Sequence, residues 1–293
     1  MNAPQLATSP LTKRWGRGYW NPTTILTIVI LTVLSLMMMF PFVWMLSASL
    51  KIQATAFQLP PELWPYEWRF SNYGEVLNNP KVPILRFFLN SLIIALLITL
   101  GQLVTCTLAA YAFGRMKFPG RDALFIFMLT GLMVPVQITI IPIFIEIRTL
   151  GLVDTHAALI LPAITSIFGV FLLRQYIMTV PNELEDAARI DGAGAVRILW
   201  QIMVPLISPA LITLAIITFT GSWNEFFRPL IFLNTWTKFT WPLGLAMLRG
   251  QYGQGSVSVI MAGITLGVIP VLLFFLVAQR RMIESIAFSS GIK

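Results

Sequence analysis

The sequence predicts an all-α membrane protein with six transmembrane helices, and three observations carry that prediction. Of its 293 residues, 57% are hydrophobic and only 11% are charged, with a mean hydropathy of +0.79. A water-soluble fold needs far more polar surface to cover its core. Six stretches are long and apolar enough to cross a bilayer, which takes roughly 20 residues. The charged residues fall between those stretches or at their ends.

The six spans are expected at residues 25–50, 88–113, 123–145, 157–177, 206–227 and 257–278. Pro41, Pro135, Pro142, Pro162 and Pro270 lie within them. Such residues break soluble helices, but neighbouring membrane helices can satisfy the carbonyls they free. Lys13, Arg14 and Arg17 precede the first apolar stretch, as in a secretory signal. That stretch is too long for one and lacks a small-residue cleavage site, so it is expected to remain as a helix. The chain then divides into an N-terminal segment 1–24, a single six-helix domain 25–279 and a tail 280–293.

Basic residues in the connections set the orientation. With the N-terminus inside, the inner segments hold Lys13, Arg14, Arg17, Arg115, Lys117, Arg121, Arg174, Arg189, Arg197, Arg280, Arg281 and Lys293. The outer segments hold Lys51, Arg69, Lys81, Arg86, Arg148, Arg228, Lys238 and Arg249. The bias places both termini in the cytoplasm. The net charge of +8 therefore reflects topology and anionic lipid rather than a nucleic-acid surface. The outer segment from Lys51 to Leu85, with Pro60, Pro61, Trp64, Pro65, Tyr66 and Trp68, reads as an interfacial loop or as a contact surface for an external partner.

Several chemistries are excluded. Cys106 is the single cysteine, so no intrachain disulfide forms. His156 stands in a short loop without companion ligands, which leaves no metal site. No glycine is followed by lysine, so the phosphate-cradling Gly-x-x-x-x-Gly-Lys loop is missing and this chain binds no nucleotide by that route. The span interiors lack Asp, Glu, Lys, His and Arg, which disfavours a proton- or sodium-coupled carrier.

The most informative connection is the inner loop 178–205. Pro181 suits a first helical turn, and Glu183, Glu185 and Asp186 place negative charge at the positive end of a helix dipole. Gly192 can take the left-handed conformation that ends a helix. Leu184, Ala187, Ala188 and Ile190 offer an apolar patch on a short helix too polar to span. From these residues alone it is either a docking element or a solvated connector.

The longer pattern decides between them. Asp186-Ala187-Ala188, three residues, Gly192, nine residues, then Ile202-Met203-Val204-Pro205 resembles the EAA motif of binding-protein-dependent ABC permeases: Glu-Ala-Ala, three residues, Gly, nine residues, Ile-x-Leu-Pro. Asp186 stands where that motif has Glu, and Val204 where it has Leu. Tyr111-Ala112-Phe113-Gly114-Arg115-Met116-Lys117-Phe118-Pro119-Gly120-Arg121 and Glu185 to Ala193 are similar to the carbohydrate-uptake, MalG-type branch, and glycerol-phosphate permeases share the pattern. The resemblance covers nearly the whole chain. It implies a MetI-like permease fold in the inner membrane, with a coupling helix over residues 182–193 seated on an ATPase. Glu183, Glu185, Asp186, Ala187, Ala188, Arg189, Asp191, Gly192 and Pro205 are the expected docking residues, Asp186 being the ionic contact. It also implies a second, MalF-type permease, an ATPase dimer that holds the ATP and magnesium, and an extracytoplasmic substrate-binding protein. The tail Ser289-Ser290-Gly291-Ile292-Lys293 lacks the Gly-Ala-Val-Lys-Gly ending that some MalG-type chains insert between their ATPases.

The polar groups within the spans are Asn90, Gln102, Gln137, Thr139, Ser166 and, near the outer end of the fifth span, Trp223, Asn224 and Glu225. A sugar pathway needs amide, hydroxyl or carboxylate partners and an aromatic face. Gln137, Trp223, Asn224 and Glu225 are therefore the candidate pathway residues, with interhelical hydrogen bonding as the alternative role. A secondary carrier and a non-transporting scaffold are the competing readings of the whole chain.

Overall fold

The computed structural model describes residues 21–52, 62–252 and 257–290, and among these every regular element is helical. Residues 1–20, with Lys13, Arg14 and Arg17, Pro60 and Pro61 of the outer loop, and the last three residues of the tail lie outside them.

Helix α1 (Pro22–Ser49) opens on proline, whose missing N–H costs nothing in a first turn. It runs through Pro41 and packs along the last helix. Most of its apolar sides are exposed, which only a non-aqueous surrounding tolerates over such a length. Its end is tied down by α2 (Ser71–Leu77): Asn72 Nδ2 donates to the carbonyls of Ser49 and Lys51 at 2.8 and 3.0 Å. The Lys51 ammonium sits 4.6 Å from the Trp44 ring centroid and donates to the Glu62 carbonyl.

Helix α3 (Ile84–Arg115) is the axis of the bundle. Ile84, Phe87 and Ala95 enter an aromatic-rich cluster at one end of the molecule, Ile94 and Ile98 a second cluster, and Cys106, Ala110 and Tyr111 a third at the opposite end.

The third expected span is not a straight helix. It divides into α4 (Arg121–Thr130), a tight turn at Gly131–Met133 and α5 (Val136–Thr149), the two halves meeting at 104°. Pro135 has no N–H to continue the ladder and forces the preceding Val134 into extended backbone, φ −86° and ψ 117°. The fourth span comprises α6 (Ala157–Ile160), a turn over Leu161–Ala163 and α7 (Ile167–Thr179). Ser166 caps α7 by accepting from the Gly169 N–H.

Past α8 (Asn182–Ile190) the chain forms α9 (Ala195–Ile198), a π-helical turn at Leu199–Met203 and α10 (Val204–Leu206). It then bends by 78° into α11 (Ser208–Trp223). The fifth span thus ends at Trp223, short of the expected residue 227, and its bent first half begins at Ala195. Helices α12 (Phe227–Phe232), α13 (Trp241–Tyr252) and α14 (Val257–Ser290) complete the fold. Helix α14 continues past residue 279 through most of the expected tail. Among the described residues four helical stretches are long and apolar enough to cross a membrane, and up to six spans result when each bent pair counts as one.

Candidate functional site: a docking helix and a polar cavity

Helix α8 lies where sequence reasoning expects it, with Pro181 just outside its first turn. Its end is a full Schellman closure: the Gly192 N–H donates to the Arg189 carbonyl at 3.0 Å and the Ala193 N–H to the Ala188 carbonyl at 2.9 Å. Gly192 holds φ +79°, a conformation that costs a residue with a Cβ about 1–2 kcal/mol. Gly192→Ala is therefore expected to fray α8, read as faster amide exchange over residues 186–192, while the melting temperature of the bundle barely moves.

The helix has two distinct faces. Glu183, Leu184, Asp186, Ala187 and Ile190 point outward, Ile190 being 86% exposed. Arg189 is more than half exposed, and Asp191, Gly192 and Pro205 are exposed as well. Ala188 is buried against the neighbouring apolar cluster. Glu185 is also turned inward, its side chain only 6% exposed. Its carboxylate lies 3.6 Å from Arg115 Nε and 3.5 Å from Arg189 Nη2. Two of the nine expected docking residues, Glu185 and Ala188, thus face this chain's own helices. Sequence reasoning passed over Arg115 as a structural partner, because a basic residue at a helix end reads as topology.

A cavity of about 470 Å³ opens between α3, α5, the α6–α7 turn and α11. Gln102, Thr139, Ser166, Thr218, Ser222, Glu225 and Arg228 supply its polar lining, and Ile143, Phe168 and Leu214 part of its apolar wall. Gln102 spans the wall, its amide donating to the Ala163 carbonyl and accepting from Thr218 Oγ1, both at 2.8 Å. Arg228 makes a bidentate pair with Glu225. A larger hollow of about 670 Å³ lies along residues 117–123, between α3 and α4, and shares none of these polar groups.

Of the four expected pathway residues, only Glu225 lines the cavity. Gln137 and Asn224 are exposed outside it, and Asn224 Nδ2 returns to the Thr220 carbonyl. Trp223 is 1% exposed, donates to the Gly267 carbonyl at 3.0 Å and packs on Phe88, Phe219 and Trp241. Its polar handle is satisfied within the bundle, so it acts as core. The lining residues Thr218 and Ser222 lie four apart on one face of α11, a spacing that the sequence carries, and Glu225 follows just past the helix end.

At the end opposite α8, Asp154 joins two connections. At φ +60°, its carboxylate accepts from the Asn234 and Thr235 N–H groups, from Thr235 Oγ1 and from Lys238 Nζ, all within 2.6–2.9 Å. These donors hold its carboxyl well below the usual carboxylate range, the Thr235 hydroxyl foremost. A depressed pKa contributes stability that is present above the unfolded value, near pH 4, and is lost only as pH falls through the folded one. Asp154→Asn is thus expected to lower the melting temperature at pH 7, and the difference from the native chain should shrink in strong acid.

The chain belongs to the binding-protein-dependent transport system inner membrane component family, whose model matches residues 106–282. Permeases of ABC importers are the membrane subunits of that class. The chain is 33% identical over 263 residues to the arabinooligosaccharides transport system permease AraQ of Bacillus subtilis, covering 89% of this chain and 92% of that one. It is 32% identical over 261 residues to the diacetylchitobiose uptake permease NgcG of Streptomyces coelicolor, covering 88% and 85%. To the sn-glycerol-3-phosphate permease UgpE of Yersinia pestis it is 33% identical over 267 residues, covering 89% and 95%. Its fold matches a bacterial ABC transporter involved in the import of the acidic polysaccharide alginate, with a TM-score of 0.75 and 26% identity over 88% of this chain and 95% of that one.

Proposed function

We propose that this chain forms half of the pathway through which an ABC importer moves a sugar or related polyol, and that α8 receives the drive from a separate ATPase. The carrying observation is the pairing of an exposed, capped helix at one end of the bundle with a hydroxyl- and amide-lined cavity within it. Hydroxyl and amide groups suit a polyhydroxylated solute, which needs many neutral hydrogen-bond partners. The sugar-handling relatives support that substrate class.

In this reading the end bearing α8 and both termini face the cytoplasm, and the Asp154 junction faces outward. Glu183, Asp186, Ala187 and Ile190 meet the ATPase, with Asp186 as the ionic contact. ATP and magnesium sit on that partner, which works as a dimer. A MalF-type second permease supplies the other half of the pathway, and an external binding protein delivers the substrate. ATP-driven closure of the ATPase pair tilts α8 and opens the pathway alternately to each side. Uptake of labelled oligosaccharide into liposomes holding the assembled transporter tests this. Uptake should require ATP and binding protein and persist without an ion gradient, whereas gradient-driven uptake without ATP would establish a secondary carrier instead.

A further inference from the structure

We propose that Arg115 is the joint through which movement of α8 reaches the transmembrane bundle, so that α8 drives α3 and α7 directly. This rests on the docking reading of α8 and adds the route by which its motion travels.

Arg115 is the last residue of α3, and its side chain is only 7% exposed. Nη2 donates to the carbonyls of Ile177, at 2.6 Å, and Val180; Nη1 donates to Asn182 Oδ1. One planar guanidinium thus holds the end of α7, the connector and the first residue of α8, a fork geometry that lysine cannot reproduce. A second arginine reinforces the same ends. Arg174 of α7 donates to the Phe113 carbonyl at 3.1 Å, covers the Phe125 ring at 4.0 Å and lies 3.7 Å from Asp122. Helices α3, α4, α7 and α8 are therefore fastened together at this end.

The covalent route from α8 onward is softer. It passes the left-handed Gly192, the π-helical turn at Leu199–Met203 and the 78° bend before α11. Each interrupts the regular ladder that would carry a push along a helix. The arginine route enters a single uninterrupted helix, and Gln102 lies on it about 20 Å from Arg115 at 1.5 Å per residue. There its amide accepts a hydrogen bond from Thr218 of α11 in the cavity wall.

The joint also holds a buried ion pair. Arg115 Nε and Glu185 Oε1 are both buried without a hydrogen-bond partner, 3.6 Å apart. A shift of α8 by less than about 1 Å closes that gap to a charge-assisted hydrogen bond, and withdrawal reopens it.

The test is the number of substrate molecules moved per ATP hydrolysed by the reconstituted transporter carrying Arg115→Met or Arg115→Lys. The outward face of α8 is untouched, so the ATPase should co-purify in native amount. The transport ratio should fall about fivefold or more for Arg115→Met, the lower end of measured coupling effects, and less for Arg115→Lys. A purely structural brace would lower yield and melting temperature and leave the ratio unchanged, which would overturn the proposal. A rescue tests the route itself. A Cβ at Gly114 would sit 3.7 Å from Ile177 Cβ, within disulfide range. In the Arg115→Met background, cysteines at both positions should restore the ratio on oxidation and lose it on reduction; no restoration would refute the α3–α7 route. Loss of the ATPase itself from either arginine variant would count against the proposal, whereas an Asp186→Lys complex that keeps its ATPase would count against the docking reading alone.

Discussion

Replacing Ile190 by Asp is expected to strip the ATPase from the purified complex and abolish ATP-driven uptake, without unfolding the permease. Ile190 is 86% exposed at the end of α8, so its side chain contributes almost nothing to packing within this chain. A large aliphatic group presented beside Asp186 and the small Ala187 suits a pocket on a partner. Apolar anchors at the centre of such interfaces contribute about 2 kcal/mol or more, roughly thirtyfold in affinity. An aspartate there adds the cost of burying an unpaired carboxylate. Co-purification measures the release, and an unchanged melting temperature of the permease separates it from misfolding. Ile190→Val, which keeps the apolar contact, should retain most of the ATPase.

Trp223→Ala should have the largest effect on stability and is expected to behave as a core deletion, not as a substrate-site change. The side chain is completely enclosed by Phe88, Phe219 and Trp241, and its N–H is paired with the Gly267 carbonyl. Removing a ring of that size leaves a cavity that costs about 3–5 kcal/mol where the surroundings cannot collapse. Gly267 shows how little slack exists: a Cβ there would lie 2.2 Å from Trp241 Nε1. Trp223→Ala should therefore reduce recovered protein and melting temperature sharply. Trp223→Phe should recover much of both and leave the substrate concentration for half-maximal uptake unaltered. A selective change in that concentration, with stability intact, would return Trp223 to the pathway.

The two tryptophan readings show where sequence reasoning reached its range. Position 223 follows a run of apolar residues and precedes Asn224 and Glu225, so local chemistry suggested a pathway mouth. Burial depended on Phe88, Trp241 and Gly267, none of them near it in sequence. Helix α8 was legible because its ends are local: Pro181, the early acids and Gly192 specify a short capped helix within a dozen residues. Which of the adjacent Glu185 and Asp186 faces outward was not, because that turns on Arg115, contributed by another helix. The six apolar spans were visible from hydropathy, yet the break at Pro135 was not. Pro41, Pro142 and Pro270 lie inside continuous helices, so proline alone does not separate a tolerated kink from a 104° corner. The lining of the cavity was half visible. Gln102, Thr139 and Ser166 stand out as polar groups in apolar surroundings, Thr218 and Ser222 show only in their helical spacing, and Arg228 lines it because the chain turns after α11.

In the proposed arrangement one face of α8 seats an ATPase while the other belongs to the permease. A photo-crosslinking residue placed at Ala187, and separately at Ala188, tests it in the assembled transporter in its native membrane. Irradiation should join Ala187 to a separate ATPase polypeptide, and Ala188 should yield only intrachain products. No ATPase adduct from position 187, or equal adduct from both positions, would contradict the docking assignment of this helix.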